Sequence, residues 1–276
     1  MQIFGVDFTS APRRAKPITC AACRLEGATL HVDALVAFDS FEVFENFLGQ
    51  TGPWLAGLDF PFGQPRDLVA ALDWPQRWAS YVEAVSALAM GDFEALLRDY
   101  REARPPGRKH ALRAVDRIAA SRSPMTLYRT PVGRMFFHGA PRLLRAGVSV
   151  LPCHPGDPDR VALEAYPALV ARKLIGRRSY KSDTRAQQTP ERAFARRDLV
   201  EEMLGPRLAS LYGLGLDISP VMAEELIEEP GADQLDAVLC AVQAAWACQR
   251  RRTRFGIPEH VNRDEGWIVD PLTAAA

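Results

Sequence analysis

Two apolar runs of this chain end in the same four-residue pattern, Gly5-Val6-Asp7-Phe8 and Gly57-Leu58-Asp59-Phe60. An aspartate closing a stretch that seeks burial is costly unless it is paired or bound to a cation. Alternation along an extended strand puts Ile3, Gly5 and Asp7 on one face and Phe4, Val6 and Phe8 on the other. The glycine two residues before each aspartate leaves room over the acid-bearing face. Laid side by side and parallel, the two strands would bring both carboxylates out at the carboxyl edge of the sheet, where open α/β sheets bind ligands. A third run, Arg160-Val-Ala-Leu-Glu164, also leads to an acid, and Pro167 then suits the first turn of a helix.

Around these motifs the chain reads as strand-like over residues 2–8, 16–25 and 29–38, with a turn at Leu25-Glu26-Gly27-Ala28. An amphipathic helix over 40–48, capped by Ser40, precedes the strand at 54–60. Residues 64–147 are rich in Ala, Leu, Arg and Glu and broken by seven prolines at 65, 75, 105, 106, 124, 131 and 141, which predicts a helical insertion. Strands resume at 148–151 and 160–165, followed by helices at 167–175, 190–204, 206–212 and 232–250, and Trp267-Ile268-Val269 suits one more short strand. This order predicts an α/β fold, a mixed sheet covered by helices. The length, 276 residues, fits one domain over 1–276 with the insertion inside it.

Asp233-Gln-Leu-Asp236 opens the closing helix, and its i,i+3 spacing sets both carboxylates on one side. That side continues through Ala237, Cys240, Ala244 and Ala247, small residues that let a helix approach the sheet closely. The acids then gather into one candidate site of Asp7, Asp59, Glu164, Asp233 and Asp236. Magnesium and manganese are hard ions that prefer such oxygen ligands. Two of them about 4 Å apart activate a water and stabilise a leaving oxygen in phosphodiester hydrolysis. Each acid also has a plainer reading. Asp7 would hold the turn before Thr9, Asp59 the 61–63 turn, and Asp233 the helix N-terminus as a cap, while Glu164 would be a solvated strand end.

The segments GVDFTSAPRRAKP (5–17), GLDFPFGQP (57–65), LEAYPALVARKL (163–174), ADQLDAVLCAVQAAWA (232–247) and EGWIVDP (265–271) together resemble the DUF429 family, whose members are expected to be ribonuclease H-like nucleases. The resemblance implies a ribonuclease H-like five-stranded mixed sheet, three antiparallel strands followed by parallel ones. It also implies two divalent ions, magnesium or manganese. An acid on the first strand, one at the end of the fourth and acids on the last helix would bind them, and Asp7, Asp59 and Asp236 fit those places. Asp233 stands alongside, as in the Holliday-junction-resolvase branch. Glu164 follows the DUF429 pattern more than that of the wider superfamily. The insertion departs from a minimal ribonuclease H and would hold substrate, form a lid or mediate oligomerisation.

A nucleic-acid substrate would need cations near those acids. Arg13, Arg14 and Lys16 follow the first motif, and Arg172, Lys173, Arg177, Arg178, Lys181 and Arg185 follow Glu164. Arg13, Arg14 and Lys181 are the candidates for phosphate contact. Arg250-Arg251-Arg252 instead suit a helix C-terminus. With 34 basic and 34 acidic residues, bulk charge argues against general polyanion binding but does not exclude a local basic face. No run reaches the roughly 20 apolar residues of a membrane helix. The start, MQIFGVDF, lacks a signal-peptide pattern, and five cysteines without one fit free thiols in the cytoplasm. Cys20 and Cys23 point to opposite faces of a strand, which suits packing better than a metal or redox pair. Two rivals to a nuclease stand: a non-catalytic binding protein on this fold, and an actin-like or sugar-kinase-type phosphotransferase. GVDFTS suits the phosphotransferase's first phosphate loop, but the chain lacks its second loop and its Gly-Gly adenosine motif.

Overall fold

The computed structural model describes residues 1–275. The chain opens with an antiparallel meander, β1 (Gln2–Asp7), β2 (Ile18–Glu26) and β3 (Thr29–Phe38). Gly27 turns β2 into β3 with φ 59, a backbone conformation glycine adopts freely. Helix α1 (Phe41–Leu48) starts where the Ser40 side chain accepts from Val43 N at 3.3 Å, and it buries Phe44 and Leu48, one turn apart. It returns the chain to β4 (Trp54–Leu58), parallel to β1.

Between β4 and β5, where the sequence predicts a helical insertion, lie α2 (Arg66–Ala71), α3 (Trp78–Ser86), α4 (Met90–Ala103), α5 (Ala114–Ala119) and α6 (Val132–Ala146). The chain then forms β5 (Val148–Leu151), β6 (Asp157–Glu164), α7 (Pro167–Ile175), α8 (Pro190–Leu204), α9 (Pro206–Tyr212), β7 (Gly215–Asp217), α10 (Pro220–Glu228), α11 (Asp233–Gln249) and α12 (Pro271–Ala274). The sheet order is β5-β6-β4-β1-β2-β3-β7.

The α/β class, the antiparallel-then-parallel sheet and the flanking helices are as the sequence implies, but the sheet has seven strands, not five. The extra strands lie at the two edges. β5 pairs parallel to β6, and the three-residue β7 pairs with Thr29–His31 of β3. β7 is too short to show a period-two pattern, and it covers an edge that β3 would otherwise expose. The Trp267–Val269 segment forms a single bridge from Ile268 to Glu164 rather than a strand.

Helices cover both faces. One core holds Phe4, Val6 and Leu58 of the sheet with Phe44, Trp78, Phe93 and Phe136. The other holds Ile3, Leu55 and Leu163 with α7, α8 and α11. The alternation read from β1 is therefore real, and so is the opposite placement of Cys20 and Cys23, one in each core. Among the described residues no helix is long and apolar enough to cross a membrane.

Glycine decides where α11 lies. Gly5 and Gly57 face each other in register across β1 and β4. A Cβ on Gly5 would stand 1.9 Å from Ala237 O, and one on Gly57 would stand 2.5 Å from Cys240 O. The helix backbone thus rests directly on the sheet at the two residues that precede the paired aspartates by two positions. Ala237, Cys240, Ala241 and Ala244 supply the small face that permits this approach.

Candidate functional site

The close seating of α11 brings three acids together. Leu58 pairs with Val6, and Asp59 N donates to Val6 O at 2.9 Å, so Asp59 and Asp7 end neighbouring parallel strands side by side. Asp236, in the first turn of α11, is fully buried. Its Oδ1 accepts from the Tyr180 hydroxyl at 2.6 Å and its Oδ2 from the Lys181 ammonium. The Lys181 side chain is 43% exposed, with its charged end turned inward. Burial would depress the Lys181 pKa, but the charges of Asp236, Asp7 and Asp59 outweigh it and raise the value well above the ordinary one.

One ammonium does not balance the cluster. Burial raises Asp7 well above the usual carboxylate range; Lys181 pulls it back, while Asp236, Asp233 and Asp59 push it further up. Burial likewise takes Asp59 to about 7, against the pull of Lys181 and with the push of Asp236 and Glu164. Among the described residues no hydrogen bond holds either carboxylate ionised. These two acids are therefore the under-compensated members of the site.

Asp233 is neither free nor a cap. Ala232, in left-handed backbone at φ 56, occupies the N-cap position, and Glu229 serves the helix end by accepting from Gln234 N at 2.9 Å. The Asp233 carboxylate instead takes Lys16 Nζ with both oxygens at 2.8 Å, and Lys16 also reaches Asp183 at 2.6 Å.

Glu164 is placed differently again. It is 2% exposed, and Arg113 grips both of its oxygens, at 2.6 and 2.8 Å, while Phe62 N donates to Oε2 at 3.0 Å. Arg113 also binds Asp116 at 2.8 Å. Glu164 ends a strand next to that of Asp59, and Arg113 holds its carboxylate in an ion-pair network. The residue that engages it, Arg113, comes from the insertion 51 positions away, a contact that no local pattern announces.

Two adjoining hollows open over Asp7, Asp59, Asp233 and Glu164, while the fully buried Asp236 lines neither. One, about 270 Å³, is lined by Asp7, Asp59, Lys16, Lys181, Arg129 and Asp233 among others. The second, about 190 Å³, shares Asp59, Thr130, Met135 and Lys181 with it and adds Arg122, Glu164 and Tyr166. The start of α6 and the loop before it line both hollows, so the segment between β4 and β5 supplies part of the cleft wall. Of the expected phosphate contacts, Lys181 is central, whereas Arg13 and Arg14 are exposed on a tight turn closed by the Arg13–Lys16 bridge. Most other basic residues after Glu164 are structural. Arg172 holds Ala119 O, Lys173 pairs with the buried Asp270, and Arg178 pairs with Asp198. Arg196 donates to Tyr180 O at 3.0 Å and to Ile227 O at 2.6 Å, fixing the segment that presents Tyr180 and Lys181 to Asp236. His138, stacked on Phe41 and pushed down to about 4 by burial, and His154, stacked on Trp78, are outside the cleft.

The profile of one family, Protein of unknown function (DUF429), matches residues 5–260. The chain belongs to the DUF429 family. Neither a curated protein nor a solved structure matches it. The DUF429 match runs from the first acidic motif through α11, so every acid of the cleft falls within it.

The donor chemistry of Asp7, Asp59 and Asp236 suits a hard divalent ion. Among the described residues no three carboxylate, histidine or cysteine side chains are drawn together as ligands of one ion. The Lys181 ammonium pairs with Asp236, and the charges of Asp7 and Asp59 also act on it.

Proposed function

We propose that this DUF429 protein is a metal-dependent nuclease on a ribonuclease H-like fold, hydrolysing phosphodiester bonds with magnesium or manganese held by Asp7, Asp59 and Asp236. The observation that carries the reading is the unbalanced charge at the strand ends. Three aspartates from β1, β4 and α11 share one ammonium, and Asp59 is pushed up to about 7. Natural folds keep such cost where function requires it. Divalent ions bound there would lower the pKa of a water and offset charge on the leaving oxygen. Asp233, neutralised by Lys16, orients that lysine at the cleft rim. Tyr180 fixes Asp236 from the far side of its carboxylate. Lys181 offers a positive charge to a phosphate, and Arg13 and Arg14 add outer backbone contacts.

Purified full-length protein, incubated with single-stranded, duplex, hybrid and branched nucleic acids and either metal, should cleave at least one substrate, and Asp7→Asn should abolish the cleavage. Inertness towards all of them with both metals would overturn the reading. The Lys181–Asp236 ion pair favours a second reading, a non-catalytic binding protein in which Lys181 is a permanent counter-ion. That reading requires manganese not to compete with the lysine.

A further inference from the structure

The insertion carries a second surface that neither the fold nor the acids explain. Ser121 and Arg122 line the cleft beside Asp59 and also a wider basin of about 840 Å³, walled by Arg101, Lys109, His110 and Tyr128. The basin therefore opens into the acidic cleft around Arg122. Arg122 lines the same hollow as Asp59, Tyr166 and Lys181, which places it at the rim of the acids.

Charge in this region is strongly one-sided although the chain as a whole is neutral. From Arg101 to Arg129 there are eight arginines and lysines against two carboxylates, Glu102 and Asp116. The flanking Arg113 and Arg134 are consumed by ion pairs with Asp116, Glu164 and Glu94. Arg122 and Arg129 instead stand exposed on the cleft wall. Arg129 sits at φ 60, a left-handed conformation uncommon for a side-chain-bearing residue. Between them Tyr128 is 49% exposed, its ring edge-on to His110 at 5.7 Å. Single exposed aromatics are ordinary, but an aromatic ring flanked by unspent arginines in a groove is the composition that holds unpaired nucleic acid. Bases stack on the ring, and cations follow the backbone. In a duplex the bases already stack on one another and offer no face to a lone surface ring.

We propose that the basin is an entry track for an unpaired nucleic-acid strand, with a base stacked on Tyr128 and its phosphates passing Arg122 and Arg129 into the acidic cleft. The track rests on the reading of that cleft as a nuclease site and specifies its substrate as single-stranded. The test is fluorescence anisotropy with labelled single-stranded DNA and RNA oligonucleotides in EDTA, where cleavage plays no part, alongside a separate manganese titration. Wild-type protein should bind a single strand more tightly than the matching duplex. Tyr128→Ala should weaken binding on the order of tenfold. Removing Arg122 and Arg129 should flatten the salt dependence by about 0.7 in logarithmic slope for each arginine. Because these side chains are exposed, the variants should melt with the wild type. Unchanged affinity in Tyr128→Ala, preference for duplex, or binding to anionic vesicles alone would overturn the track. Manganese uptake without oligonucleotide binding would overturn the track and leave the metal reading standing. Oligonucleotide binding by a protein that takes up no manganese would uphold the track and refute the nuclease.

Discussion

Strands β4 and β6 lie side by side and parallel, and each leads to an acid at the same edge of the sheet, yet Asp59 and Glu164 have opposite surroundings. Every oxygen around Glu164 has a donor. Arg113 and Phe62 N serve Glu164, and Arg113 with the Ser121 hydroxyl serves Asp116. Burial still leaves Glu164 above its ordinary value, with the pull of Arg113 and these hydrogen bonds opposing it. Asp59 has no such donors and shares a single lysine with Asp7 and Asp236. Burial alone does not separate a structural acid from a functional one. The separation comes from whether the fold supplies the partners that burial demands.

That contrast is open to breakage first at Arg113. Arg113→Ala leaves Glu164 and Asp116 buried without their cation, and should cost about 3–5 kcal/mol in urea denaturation. A loss below about 1 kcal/mol, the worth of an exposed ion pair, would show that the network is not architectural. Next is the seat of α11. Gly5→Ala forces a methyl against the Ala237 carbonyl and should cost about 3 kcal/mol while dislodging Asp236, read together as a lower melting temperature and weaker manganese binding.

The acidic cluster should respond in the opposite direction. Asp59 has a folded pKa near 7, above its ordinary value of 3.8. Its contribution is therefore fully present below the unfolded value and is lost as pH rises through about 7. Metal-free protein should become less stable as pH rises from about 4 to about 7 and level off above that. Asp59→Asn should remove most of that slope and stabilise the chain by about 1–2 kcal/mol at pH 8, after allowance for sharing of the charge with Asp7 and Asp236. A destabilised Asp59→Asn would put Asp59 in the same class as Glu164. The smallest effect belongs to Arg13 and Arg14. Exposed and outside the cleft lining, each should change oligonucleotide affinity only a few-fold when replaced by Ala, visible in the same anisotropy assay.

What was legible in the sequence was whatever short-range pattern encodes. The Gly-aliphatic-Asp-Phe repeat located the ends of β1 and β4, and the small residues of α11 announced its close approach. The pairings of residues brought in from a distance were not legible, although Lys181 itself stood out as a candidate for phosphate contact. Lys181 is 55 positions from Asp236, and Arg113 is 51 from Glu164, so neither the counter-ion of one acid nor the clamp on the other leaves a periodic trace. The capping motif misled for a related reason. Asp233 looks like an N-cap by residue type, but Ala232 takes that backbone position and Lys16 claims the carboxylate from across the fold. β7 went unseen because three residues carry no alternation.

On the proposed reading Asp7, Asp59 and Asp236 are kept for a divalent cation and not for the fold. Titration of the metal-free protein with manganese, following free ion by electron paramagnetic resonance, tests it most directly. The account predicts saturable binding that tightens as pH rises through about 7, as Asp59 loses its proton, and that is lost in Asp7→Asn while the variant stays folded. No saturable binding at millimolar manganese, with Lys181 still held by Asp236, would contradict it.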